Sequence, residues 1–249
     1  MDQQFSKANR QFLPFFAKLG LRDEVGSDEH AAIIASAGEA LRFAPGEDLV
    51  REGDRPGRSV LLTEGFACRY RLQDDGSRQI IAINLPGDFV DLHSFLLKEM
   101  DHAVGALTEC SAIAFPHTNL VRLTEQFPHL TRLLWLLTLI EGSAHREWLV
   151  GFGLLSAPQR TAHLLCEIYV RLEAIALAKD HRFSLPLTQA SLADAVGISS
   201  VHINRVVQEL RQARLIDWER GMVTIHDWPG LVAAGKFNDR YLHLVREKR

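Results

Sequence analysis

The chain has 249 residues, 47% hydrophobic and 24% charged, proportions of a folded globular protein that exclude a disordered or collagen-like chain. Its net charge of −3 is unevenly placed. Residues 1–152 hold 15 Lys+Arg against 21 Asp+Glu, a balance of −6, and residues 153–249 hold 13 against 10, a balance of +3. A mildly basic C-terminal part suits contact with phosphate, although a difference of this size is common between domains. The most apolar run, residues 133–140 (LLWLLTLI), falls short of the about 20 residues that span a bilayer. The start, MDQQFSKANRQF, lacks the apolar core of a signal peptide, so the expectation is a cytoplasmic protein without a membrane partner. Cys68, Cys110 and Cys166 form no CxxC pair, which speaks against a disulfide framework or zinc ribbon.

Residues 1 to about 40 read as helical, with Asp23 and Ser27-Asp28 as capping residues and Ala31, Ile33, Ile34 and Ala37 as a packed face. From Leu41 to Phe115 short apolar runs alternate with turn dipeptides: Pro45-Gly46, Gly53-Asp54, Pro56-Gly57, Glu64-Gly65, Asp75-Gly76 and Pro86-Gly87. This rhythm predicts an antiparallel β-sandwich or roll, with Asp74-Asp75-Gly76 at a hairpin tip.

The pattern returns to helix after Thr118. Pro128 suits a first helical turn, and Leu130, Leu133, Leu134, Leu137, Ile140, Ala144 and Trp148 recur at steps of three and four. A helix apolar on more than one face predicts packing on the roll and on a second copy of the chain, with Leu133, Leu137, Ile140, Ala144 and Trp148 as the dimer seam. Gly151-Phe152-Gly153 is expected to end this helix as a hinge. The predicted divisions are a sensor roll over 1–127, a dimerisation helix and hinge over 128–152, and a C-terminal domain over 153–249.

The most informative stretch is residues 187–210, LTQASLADAVGISSVHINRVVQEL. Thr188 caps a first helix with Leu192, Ala193 and Val196 inward; Gly197 takes a left-handed turn; Ile198 plugs the gap; Ser199 caps a second helix buried through Ile203, Val206, Val207 and Leu210. That pattern is a helix-turn-helix, and it leaves Ser200, Val201, His202, Asn204 and Arg205 for a DNA major groove. Arg205 can donate twice to guanine, Asn204 can read a base edge or hold phosphate, and Ser199, Ser200 and His202 suit phosphate, as do Thr188 and Gln189 at the first helix's start. Residues 215–218 and 222–225 flank Glu219-Arg220-Gly221 as a β-hairpin, a wing whose tip Arg220 can reach phosphate. The ordinary alternative for these residues is a helical hairpin with a solvated polar face.

On these stretches together the chain resembles the cyclic-AMP receptor protein/FNR (Crp/Fnr) family of bacterial transcription regulators, from about residue 40 onward. The resemblance implies an α+β fold: an N-terminal antiparallel β-roll of the cyclic-nucleotide-binding, jelly-roll kind, a long central dimerisation helix and a C-terminal winged helix-turn-helix. It implies a homodimer on a near-palindromic double-stranded DNA site, with RNA polymerase as a further partner. Ser200, Val201 and Arg205 stand at the family's base-contacting positions; Val201 departs from its usual glutamate, so a thymine methyl replaces cytosine as the suitable contact.

The effector position departs more. Leu92 stands where the family's ribose-binding glutamate belongs, and His102-Ala103 where its phosphate-binding Arg-Ser pair belongs. Cyclic nucleotide is therefore not expected, since a buried phosphate would lack its bidentate arginine. An iron-sulfur cluster is not expected either, because three cysteines cannot supply four thiolates. No metal site is expected, as His93, His102, His117, His129 and His145 show no H-x-H or H-x₃-H spacing. The effector is left open, with Leu92, His93 and His102 as candidate residues and no cofactor assigned. A haem sensor acting on DNA, and a winged helix that docks protein, are the alternatives. No G-x-S-x-G, P-loop or cupin-like histidine set supports an enzyme.

Overall fold

The computed structural model describes residues 7–248. Residues 1–6 of the expected N-terminal helix lie outside the described residues. A 3₁₀ turn (Lys7–Phe12) leads into α1 (Leu13–Gly20) and then α2 (Ser27–Ser36). The cap of α2 is Gly26, not Ser27: Glu29 Oε2 accepts from the Gly26 N–H at 2.9 Å, and no helix starts at Asp23, whose carboxylate accepts from Glu24 N. A carboxylate three residues into the helix satisfies an orphan N–H that a serine at the first helical position cannot reach.

The strands that follow are β1 (Ala40–Phe43), β2 (Asp48–Val50), β3 (Arg58–Glu64), β4 (Ala67–Leu72) and β5 (Arg78–Asn84), then the one-turn α3 (Ser94–Leu97), β6 (Ala103–Ala106) and β7 (Cys110–Pro116). They form two sheets, ordered β1-β7-β3 and β2-β6-β4-β5, with the resolved pairings antiparallel. The middle of β3 is buried on both faces, which explains its continuous apolar run. Val60 and Leu62 enter one core with Val90, Met100, Val104 and Ala112. Leu61 points the other way, joining Phe15, Phe89, Ile113 and Phe115 under the helices.

Next come α4 (His117–Gln126) and α5 (Pro128–Leu154), the latter 27 residues long. Gly151-Phe152-Gly153 does not end it: all three are helical, and Leu155 N donates to Gly151 O at 2.9 Å. Two glycines weaken a helix by roughly 1 kcal/mol each against alanine, which is less than its packing and hydrogen bonds supply here. Three residues of the predicted seam have partners within the chain. Leu133 is buried in the core beneath the helices, Leu137 packs partly against it, and Trp148 donates its indole N–H to Glu167. The exposed apolar side chains of α5 are Trp135 (66%), Leu139 (55%), Leu149 (72%), Val150, Phe152 and Leu154.

The remaining elements are α6 (Ala157–Glu173), β8 (Ala178–Lys179), β9 (Arg182–Ser184), α7 (Gln189–Val196), α8 (Ser200–Gln212), β10 (Ile216–Glu219), β11 (Met222–Ile225), α9 (Trp228–Gly235) and a 3₁₀ turn (Asp239–Leu242). The wing is one side of a four-stranded sheet, β10-β11-β9-β8, larger than the predicted hairpin. The described residues divide into two compact units, 7–69 with 83–141 and 244–248, and 70–82 with 142–243. Within the second, Ala162, Leu165, Ile168, Tyr169 and Leu172 of α6 are all buried, as their helical spacing predicts. The same unit includes the outer part of the β4–β5 hairpin, where Arg78 Nε meets Asp194 Oδ2 at 2.8 Å and Gln79 Nε2 donates to the Asp194 carbonyl.

Candidate nucleic-acid interface and sensor site

Two capped helices build the nucleic-acid surface. Thr188 Oγ1 accepts from Ser191 N at 3.0 Å at the start of α7, and Ser199 Oγ from His202 N at 3.3 Å at the start of α8. Gly197 joins them at φ +73°, and its N–H donates to Ala193 O. Any Cβ there would be strained and would meet the Phe152 ring at 2.9 Å, so glycine is required twice over. Arg160 fixes the end of α7 from α6, donating to the Val196 and Leu155 carbonyls with its guanidinium over the Phe152 ring.

Leu192, Ala193, Val196, Ile203, Val206 and Leu210 are buried between the helices. Their burial fixes the opposite face of α8: Ser200, Val201, His202, Asn204 and Arg205 are all exposed. Val201 is 65% exposed, an apolar side chain that nothing within the chain covers. Asn204 is less available than the sequence suggests, because its Oδ1 accepts from Gln189 Nε2 at 2.6 Å. The pair braces the outer faces of α7 and α8 and leaves Asn204 its amide N–H group to offer. At the wing tip Arg220 and Gly221 both have positive φ, +51° and +75°, the two-residue turn that matches strand twist. Arg220 is exposed, so the structure brings every predicted DNA-facing residue to solvent on this unit.

The predicted effector residues separate. Leu92 packs into the core with Phe15, Phe89 and Phe115. His93 and His102 come together, with ring centroids 4.9 Å apart, and Asp101 joins them, its Oδ1 2.7 Å from His102 Nδ1. Eight intervening residues and the α3 turn hide this cluster from any short-spacing rule. Burial, aided by the Arg69 charge, lowers the His102 pKa and keeps the ring neutral. Two other sensor histidines are tied down: His117 to Ser59 at 3.2 Å, and His129 between Glu29 at 2.7 Å and Asp23 at 3.2 Å.

Sequence reading missed a buried charge cluster beside this site. Arg69 on β4 is 3% exposed; its Nε donates to the Val90 carbonyl, and one NH₂ group meets both Glu141 oxygens at 3.0 Å. Asp91, wholly buried, accepts from Val60 N, and burial pushes its carboxyl up to about 7. A lone arginine in a strand carries no sequence signal of burial. Arg69 is thus committed to Glu141 and backbone carbonyls, and Asp91 adds a buried acid. The three cysteines are each fully buried.

Among known families, the cyclic nucleotide-binding domain matches residues 40–127 and the Crp-like helix-turn-helix domain matches residues 159–234. The nitrogen fixation regulation protein FixK of Bradyrhizobium diazoefficiens is 30% identical over 195 residues, 76% of this chain and 79% of its own. The transcriptional activator protein FnrL of Cereibacter sphaeroides is 28% identical over 180 residues, 71% and 72% of the two chains. The fold matches that of FixK2 from Bradyrhizobium japonicum with a TM-score of 0.72 at 21% identity, covering 80% of this chain and 96% of that one. With both halves matched in order and the relatives named as regulators, the chain belongs to the Crp/Fnr family of DNA-binding transcription regulators.

Proposed function

We propose that this regulator reads a near-palindromic DNA site as a homodimer, with α8 in the major groove and the wing on the backbone. The observation that carries this reading is the exposed face of α8, where Ser200, Val201 and Arg205 stand clear of the buried stripe Ile203, Val206 and Leu210, with Val207 half-buried at its edge. Ser199, His202, Thr188 and Arg220 serve phosphate, and Gln189 positions Asn204. Selecting bound duplexes from a random library with the purified protein tests it. A two-fold symmetric motif with half-sites about one helical turn apart is the expected result, and an asymmetric or absent motif, with and without cell extract added, counts against it. In the same assay Arg205→Ala is expected to cost roughly 1–3 kcal/mol of specific affinity and to relax one base pair. Unchanged operator affinity would remove Arg205 from the reading face.

We assign residues 1–127 to the sensor, 128–152 to dimerisation and 153–249 to DNA binding. The exposed positions Trp135, Leu139 and Leu149, with Gly142 and Arg146 between them, step by four and three as in a two-stranded coiled coil. Large exposed apolar side chains at that spacing support a second copy of the chain as their cover, with Ile140 and Ala144 at its flanks. Trp135→Glu is expected to shift sedimentation from dimer to monomer. An unchanged dimer would place the seam elsewhere.

The departures at Leu92 and His102 support an effector other than a cyclic nucleotide, and three buried cysteines oppose an iron-sulfur cluster. Relatives named as transcriptional activators support RNA polymerase as a further partner. Among the described residues no helix is long and apolar enough to cross a membrane. A chromosomal target supports a cytoplasmic location.

A further inference from the structure

The position that the family's phosphate-binding pair would occupy carries cation-binding chemistry in this chain. His93, Asp101 and His102 each bring one donor atom to within 4.8 Å of the others. With bonds of about 2.0–2.2 Å, two donors on one tetrahedral ion stand roughly 3.5 Å apart, so that spread must close by up to about 1.3 Å on binding. The His102 side chain is 93% buried by its 7% exposure, and its Nε2 is enclosed without a hydrogen-bond partner among the described residues. Such an atom costs about 1–3 kcal/mol unless something satisfies it. An ion, or a water carried on an ion, would do so.

The electrostatics are favourable on balance. A histidine ligates a metal through its neutral form. Asp101 is exposed and ionised, and the charge of Glu52 also acts on His102. Arg69 acts the other way, but its guanidinium is paired with Glu141. Two imidazoles with one carboxylate suit first-row transition ions, whereas magnesium and calcium prefer oxygen ligands throughout. We propose that His93, Asp101 and His102 bind one divalent transition-metal ion in the sensor unit. In this chain the effector position has thus exchanged an anion's partner for a cation's.

The proposal concerns binding by the sensor unit and is read without DNA, so it stands or falls apart from the operator reading. The full chain, stripped with chelator, is titrated with Co²⁺ as a coloured probe and then with Zn²⁺ in competition. One equivalent of Co²⁺ per chain is expected, with visible d–d absorption that Zn²⁺ abolishes. His93→Ala and Asp101→Ala are each expected to weaken binding at least about tenfold, while His226→Ala, at the exposed Asp217 pair on the wing, leaves it unchanged. Asp101 is exposed, so its variant keeps the fold, checked by circular dichroism, even if a histidine variant does not. No Co²⁺ uptake by the wild type, or the same stoichiometry and spectrum in the folded Asp101→Ala protein, would overturn the proposal.

Discussion

Glu167→Ala is expected to destabilise the DNA-binding unit by about 3–5 kcal/mol, the cost of opening a buried charged network by removing its hub. Glu167 is 1% exposed on α6. One of its oxygens accepts from the Trp148 indole and the Tyr241 hydroxyl, both at 2.8 Å, and the other from Arg171 at 2.9 Å. Tyr241 in turn meets His163 Nε2 at 3.1 Å, and His163 Nδ1 faces the Gly235 carbonyl. Burial and the adjacent Glu167 charge push the Tyr241 hydroxyl far above its usual range, so it remains a donor at every accessible pH. Alanine would leave two neutral donors and a guanidinium facing a void. Tyr241→Phe, which removes one donor and leaves the carboxylate its other partners, should cost only about 1–2 kcal/mol. Urea unfolding followed by tryptophan fluorescence measures both. Equal losses for the two variants would show that Glu167 is not the hub.

Arg69→Met is expected to cost the sensor unit about 2–3 kcal/mol, since methionine fills the volume but makes none of the charged hydrogen bonds. The loss should also depend on pH. Burial raises the Glu141 pKa, and Arg69 holds it down against that trend. Without Arg69 the folded-state value rises further above the unfolded value of about 4.3. A carboxyl raised on folding favours the folded state while both states are protonated, and that advantage fades as pH rises through the folded pKa. The deficit of Arg69→Met against the wild type is therefore expected to grow from acidic toward neutral pH. A constant deficit would mean that Glu141 does not feel the guanidinium.

The sequence made some of this legible because certain residues tolerate little else. Glycine at 197 is required by a left-handed turn beside an aromatic ring, and capping residues at 188 and 199 satisfy N–H groups that no other local atom reaches. These are local constraints, and local constraints survive in a one-dimensional reading. The short apolar runs between turn dipeptides likewise announce strands, although burial of 60–62 on both faces shows only in the fold. Other features are decided by what lies across space. The turn between β8 and β9 uses Asp180 and His181 at positive φ, without the glycine that would have flagged it. Leu133 and Trp135 are two residues apart on one apolar helix, and only the packing of the roll decides which of them is core. His93, Asp101 and His102 meet because the chain turns back through α3, and Arg69 finds Glu141 72 residues away.

The uninterrupted run of α5 has a consequence for local melting. Its final turn is not built like the rest. Gly151 and Gly153 forgo about 2 kcal/mol of intrinsic helical free energy that alanines would supply, and what offsets this is contact made by Phe152 between them. That last turn is thus a segment whose order is conditional on its neighbours. Loosening the contact of Phe152 with Arg160 and Gly197 would let that turn unwind at little cost, while the leucine-rich part upstream would stay wound.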